Sequence, residues 1–282
     1  MNTQEIDIEI SKNQISFDLD SLQEEEESST LSVLSVKNLE WIAQEVLFVV
    51  VKAKHDDFIK NFNDFLLCGK SMIDWVKMAG NHCQTIVIEE TENLIEQLKN
   101  IQTDKKIMAV FYSDTPLLDK SLFNEILNYF SIKGYNALNL IRGCIFKIDY
   151  LKSIYDFVQA PCSKFNIHQL EPISSGKMLA CAIKELRKKI NSYHCKNGVI
   201  LLEDNINIDA DVEIDTGVII YGNNSIEGQT VIFSGAILKR GNIIKDSIIG
   251  KNVILEASYI EKSKISDGKI ISPFEKITNS SL

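Results

Sequence analysis

No Cys-x-x-Cys pair occurs in this sequence, although it carries six cysteines, Cys68, Cys83, Cys144, Cys162, Cys181 and Cys195. Thiols scattered in this way argue against a zinc site and read as reduced cysteines of a cytoplasmic protein. His82 and Cys83 are adjacent, as are His194 and Cys195, but sequence neighbours rarely ligate one metal without further ligands close by. There is no long apolar run either: the longest, residues 46–51, is far too short to span a bilayer. A basic excess is also missing. The formal net charge of −9 argues against nucleic acid or an anionic membrane as a partner. The first eleven residues are acidic and lack both a basic n-region and an apolar h-region, so no secretory leader is expected.

What is present is a chain of 282 residues with 45% hydrophobic content, enough to bury a core in one to three soluble, globular domains. Its clearest pattern lies near the C-terminus. Ile208, Ile214, Ile220, Ile226, Ile232, Leu238 and Ile244 recur every six residues, a spacing that neither a helix nor a hairpin sheet produces. A fixed short period signals a solenoid, and a hexapeptide period predicts a left-handed parallel β-helix with three hexads per triangular coil. Val212 and Val218 precede Ile214 and Ile220 by two, as inward positions on a strand should. Beyond Ile244 the spacing mixes five and six, through Ile249, Ile254, Ile260, Ile265, Ile271 and Ile277, so about four coils are expected. A solenoid this short is usually capped or associates side by side, which makes a homotrimer the first expectation.

Upstream, residues 1–40 hold an acidic run, Glu24 to Glu27, followed by Ser28, Ser29 and Thr30, and read as a solvated linker. From residue 41 strands and helices alternate: strands at 46–51, 85–88 and 107–112, an amphipathic stretch at 71–79, and helices at 91–101 and 120–130. Strict alternation predicts an α/β layer with a mainly parallel sheet. Ligands collect at the carboxyl ends of such strands, where Asp114 follows the strand 107–112. A carboxylate there can hold Mg²⁺ bridging phosphate oxygens, or can simply cap the turn before Pro116. Residues 179–190 form an amphipathic pattern whose basic members, Lys184, Arg187, Lys188 and Lys189, read as the wet face of a connecting helix. The domain expectation is therefore an acidic segment at 1–40, an α/β domain at 41–172, a connecting helix at 173–197 and a β-helix at 198–282.

Taken together, the hexads of residues 211–222, the segments 246–250 and 272–274, and the run Ser113-Asp114-Thr115-Pro116-Leu117-Leu118 resemble a family. It is that of the bacterial bifunctional N-acetylglucosamine-1-phosphate uridylyltransferase and glucosamine-1-phosphate acetyltransferase. Ser113 to Leu118 is similar to its Gly-Asp-x-Pro-Leu motif, whose Asp binds the catalytic Mg²⁺. Gly69-Lys70-Ser71-Met72 resembles its Gly-Lys-Pro-Met segment, and residues 180–191 its connecting helix. The resemblance covers most of residues 41–277. It implies a shortened nucleotidyltransferase-like, Rossmann-like α/β domain followed by a left-handed β-helix, with Asp114 as metal ligand.

The departures from the family pattern matter as much. The family's glycine-rich loop and its arginine fall on residues 48–56, where Val51, Ala53 and His55 stand at the glycine and arginine positions, so side chains take space a phosphate would need. The family's lysine falls on Phe62. Its uracil- and ribose-binding segment falls near residues 90–94 without its glycines, and its second metal-binding asparagine falls on Ser175. Between Leu118 and Arg142 the chain is too short for the family's sugar-binding insertion. The acetyltransferase half lies further along the β-helix than this sequence extends, and no histidine follows His194 to serve as a base.

The expectation is thus a divergent UDP-N-acetylglucosamine pyrophosphorylase-like protein with lost or much reduced catalysis. It would act as an assembly or regulatory subunit, beside an active paralogue and with a nucleotide or nucleotide sugar as the candidate ligand. No catalytic residue is assigned, and Asp114 is the one metal candidate. The alternative is an active but altered sugar nucleotidyltransferase using Mg²⁺ at Asp114.

Overall fold

A computed structural model describes residues 44–54, 59–154 and 168–282. The acidic segment, His55 and Cys162 lie outside these residues. The first described element, β1 (Val46–Lys52), is buried from Val46 to Val51. Its unbroken apolar run has a simple cause: β1 is central in its sheet and is covered on both faces. It pairs in parallel with β4 (Gln84–Glu89) on one side and β5 (Ile107–Tyr112) on the other. Alternate residues go to opposite faces. Leu47, Val49 and Val51 join Leu94 and Leu98 of α2 (Leu94–Lys99) in one core. Phe48 points the other way, stacking on Phe111 and meeting the edge of Phe123 at 4.9 Å. Phe123 belongs to α3 (Lys120–Ile132), whose N-cap Asp119 accepts a hydrogen bond from the Leu122 backbone N–H.

The sheet, expected to be mainly parallel, joins three parallel strands to an antiparallel pair. Beyond β5 lie β7 (Gly143–Lys147) and then β6 (Ala137–Leu140), both antiparallel to their neighbours. These two strands escaped the sequence reading because they are short and joined by only Ile141 and Arg142. Gly143 follows at φ 145°, where a Cβ would come within 2.6 Å of the Val110 carbonyl oxygen. Only glycine brings this hairpin so close to β5.

A small hairpin, β2 (Leu66–Leu67) and β3 (Lys70–Ser71), leads into α1 (Met72–Ala79). After residue 168 a long helix, α5 (Gly176–Lys196), is capped by the Ser175 hydroxyl, which accepts from the Met178 N–H. α4 (Ile148–Leu151) completes the layer.

From Ile200 onward the chain winds as a β-helix of two- and three-residue strands stacked in three parallel sheets. Ile208, Ile220, Ile226, Ile232, Leu238 and Ile244 are buried in one axial core, and Ile214 is partly buried against it. Early coils are regular: Ser225 pairs with Ile243, eighteen residues on. Later ones shorten, with Val231 on Ile248 after seventeen and Ile243 on Tyr259 after sixteen. The corner between Glu227 and Val231 takes three residues, whereas those after Lys245 and Glu261 take two. Asp246 and Lys262 turn these tight corners at φ 47°. This shortening corrects one inward position: Leu255, not Ile254, is fully buried.

Polar side chains seal two corners of the coil. The Asn242 N–H donates to Asn224 Oδ1, and the Ser258 N–H donates to Asn242 Oδ1. In the same way Ser247 donates to Thr230, Ser263 to Ser247 and Ser280 to Ser263 through backbone N–H groups. Each side chain meets a buried donor that the short strands leave unpaired. On one outer face Ile200, Ile219, Ile237, Ile254 and Ile270 stack in register, an apolar row turned away from the core.

Two outcomes are expected. Asn242→Ala strands the Ser258 N–H and removes a ladder rung, so its urea midpoint should fall by the equivalent of about 2 kcal/mol. Asn207→Ala, outside the ladder, should leave the midpoint within error. Second, His194 is buried at the end of α5, and burial holds its imidazole below the ordinary value near 6.5. His82 is shifted the same way by the same cause. The unfolded chain then binds protons more readily, so stability is full above about pH 6.5 and is lost as pH falls through that value. Urea midpoints between pH 8 and pH 5 would measure it, and a flat profile would contradict it.

Candidate functional site

The carboxyl edge of the parallel strands is where the sequence placed its candidate, and Ser113, Asp114 and Thr115 are fully buried there. The Ser113 N–H donates to the Val51 carbonyl, extending the ladder one step past β5. Asp114 follows, with both carboxylate oxygens facing Arg142 on the β6–β7 turn. The Arg142 Nε lies 2.9 Å from Oδ2 and 3.2 Å from Oδ1 of Asp114. A second guanidinium nitrogen lies 2.9 Å from Oδ2 and 3.5 Å from Glu90 Oε1. The guanidinium plane also sits 3.7 Å from the centre of the Tyr112 ring. A buried carboxylate is tolerated only when paired, and a forked guanidinium is the best-matched partner among side chains. Burial pushes the Tyr112 hydroxyl up to about 12 despite the opposing charge of Arg142, so this ring stays neutral.

Beside this pair lies the loop that follows β1. The Ala53 N–H donates to Ser113 Oγ at 2.9 Å, and the Lys54 N–H to Glu90 Oε2 at 2.9 Å. The Ala53 carbonyl accepts from Asn63 Nδ2, and the Asn63 Oδ1 accepts from the Ser113 hydroxyl. The N–H groups of Ala53 and Lys54 are therefore bonded within the chain, that of Lys54 to a carboxylate. Phe62, at the position of the family's lysine, is buried against Leu67, Met72 and Leu117. Leu94 is buried likewise.

Other residues singled out in the sequence lie elsewhere. Ser175 caps α5 with its hydroxyl. Gly69 and Lys70 sit at the junction with the β-helix: Lys70 pairs with Asp211, and the Cys68 carbonyl accepts from the Ala210 N–H. Gly69, at φ 85°, approaches Asp209 so closely that a Cβ would lie 2.9 Å from the Asp209 Cβ. The basic residues of α5 disperse. Lys189 pairs with Asp119, while Lys184, Arg187 and Lys188 line a groove of about 1310 Å³ between α5 and the first coils. The rim of that groove mixes these cations with Glu203, Asp204 and asparagines, and neither Asp114 nor Glu90 lines it.

Among the described residues Asp114 and Glu90 are carboxylates that meet at the strand ends, and no three His, Cys, Asp or Glu side chains converge as a metal site. Mg²⁺ needs near-octahedral oxygen ligands, yet the oxygens of Asp114 are turned to a guanidinium. The donor set as arranged does not fit that ion. Arg142 is the residue that sequence reasoning missed. Its available signal was weak, a lone cation between two short apolar runs.

No family model matches the chain. A search of curated proteins finds the bifunctional protein GlmU of Clostridium acetobutylicum, 39% identical over 219 residues, covering 74% of this chain and 48% of that protein. GlmU of Clostridium novyi is 37% identical over 113 residues, covering 40% of this chain and 25% of its own length. GlmU of Streptococcus gordonii is 39% identical over 100 residues, covering 35% and 22%. A solved structure, that of Rv0371c from Mycobacterium tuberculosis H37Rv, covers 43% of this chain and 86% of its own at 10% identity, and its TM-score of 0.31 carries no argument. The chain spans about half the length of the C. acetobutylicum protein, and within that span it joins an α/β nucleotidyltransferase-like domain to a left-handed parallel β-helix. By this sequence identity and this architecture, the chain is a relative of the GlmU bifunctional proteins.

Proposed function

We propose that this chain is a non-catalytic relative of the sugar nucleotidyltransferases, acting as an assembly or regulatory subunit through its β-helix. The observation that carries this reading is that the N–H groups of Ala53 and Lys54, just after β1, are bonded to Ser113 and Glu90. Nucleotidyl transfer depends on positioning and on neutralising phosphate charge. Here the loop offers no free N–H at those two residues, a carboxylate stands beside it, and Phe62 replaces a cation. Losing one such contact typically costs about 10²- to 10³-fold in rate. Losing several together leaves no useful turnover, even with strong non-additivity.

The stacked row of Ile200, Ile219, Ile237, Ile254 and Ile270 supports self-association, with a homotrimer as the assembly and an active paralogue as a further partner. A cytoplasmic location agrees with the free thiols of the described cysteines. Among the described residues no helix is long and apolar enough to cross a membrane. The second reading, an active but altered nucleotidyltransferase using Mg²⁺ at Asp114, is favoured by that residue's position at the carboxyl end of β5.

Calorimetry with UTP and UDP-N-acetylglucosamine in the presence of Mg²⁺, followed by a pyrophosphate-release assay, separates the two readings. The expected result is no turnover. Rapid release that vanishes in Asp114→Ala would overturn the non-catalytic reading. For assembly, sedimentation at micromolar concentration should give a trimer, and an Ile237→Glu, Ile254→Glu double variant should sediment as a monomer. A monomeric wild type would remove the assembly argument.

A further inference from the structure

We propose that Arg142 is a resident cation, a tethered guanidinium that neutralises the carboxylates at the strand ends and closes the site to divalent metal. Two acidic side chains from different loops converge there, Asp114 at the end of β5 and Glu90 just past β4. Such a pair needs a cation, because a buried carboxylate without one is strongly disfavoured. In this chain the cation is covalently attached. Arg142 reaches both carboxylates from the turn between β6 and β7, so one side chain fastens three loops at the carboxyl edge of the sheet.

Three features hold it there. The two-residue turn and the close approach of Gly143 to Val110 fix the backbone that carries Arg142. The Tyr112 ring, its centre 3.7 Å from the guanidinium carbon, adds a cation–π contact that a hydrated metal ion would not replace. Tethering also gives the guanidinium an effective concentration at or above the millimolar range, competitive with free Mg²⁺. A divalent ion would have to displace a bonded, stacked, tethered cation and then find further oxygen ligands. This inference rests on the non-catalytic reading and specifies how the site is kept stable without a metal. Arg142 is a positioning residue in it, acting through Asp114 and Glu90 on the three loops.

The test uses the full chain and Mn²⁺ as the probe, followed by electron paramagnetic resonance and by thermal unfolding. In the wild type, Mn²⁺ at about 1 mM should remain free and the melting temperature should not respond to it. Arg142→Met takes the guanidinium away from both carboxylates and should lower the melting temperature by about 10 °C. Added Mn²⁺ should then bind and restore part of that loss. Asp114→Asn combined with Arg142→Met removes the buried charge with its partner, leaves only the part-exposed Glu90, and should recover most of the stability, while Arg142→Lys should fall between wild type and Arg142→Met. Should Arg142→Met fail to fold, the double variant decides: near-normal melting supports the proposal, and a failure to fold would overturn it. Stoichiometric Mn²⁺ binding by the wild type that Asp114→Asn abolishes would also overturn it, as would an unchanged melting temperature in Arg142→Met. Metal binding without pyrophosphate release would still leave the non-catalytic reading standing.

Discussion

The structure depends on one constraint, that every coil of the β-helix must hand its backbone hydrogen bonds to the next coil while one aliphatic side chain per hexad fills the axis. Strands of two or three residues leave little room for error, because most of each coil is corner. The corners are stabilised by side chains that accept N–H groups from the coil above, Asn224 to Asn242 to Ser258 and Thr230 to Ser247 to Ser263. Buried isoleucine and leucine supply the driving force, and the ladders supply the register. This division of labour lets the later coils shorten without exposing the core.

The front half obeys a different constraint, the cost of burying charge. A nucleotidyltransferase-like sheet directs its strand ends toward a ligand, and Asp114 stands at such an end with no exposure to solvent. In this chain the answer to that charge is internal. Arg142, Glu90, Tyr112, Ser113 and Asn63 form a continuous polar cluster that also takes up the N–H groups of Ala53 and Lys54 after β1. The result is a site whose groups satisfy one another.

Much of this was legible in the sequence, and the reasons for success and failure are physical. The hexad series predicted the β-helix because one inward side chain per six residues is a strict requirement. It misjudged Ile254 because a five-residue step can fall on either side of a strand, and only the left-handed turn at Ala257, in the short corner between Leu255 and Tyr259, reveals which. β1 and β5 were visible as apolar runs, whereas β6 and β7 were not, being short and half covered. The position of Asp114 after β5 was correctly read from strand and turn chemistry. Its partner was hidden, since Arg142 is 28 residues away and becomes a neighbour only through antiparallel pairing that local patterns do not encode. The absence of glycines after β1 was plain in the sequence, but the bonds from Ala53 and Lys54 to Ser113 and Glu90 were not.

The junction at Gly69 has a consequence for geometry on a larger scale. The hairpin of β2 and β3 meets the solenoid at Asp209 to Asp211, with Lys70 bound to Asp211 and the Cys68 carbonyl bound to Ala210, while Asn191 of α5 donates to the Ile206 carbonyl. All three attachments fall within a single coil. The solenoid therefore acts as an axle and the α/β domain as an arm keyed to it at one angular setting. Any arrangement of several axles fixes the compass bearing of every arm, and with it the direction in which each sealed strand edge faces.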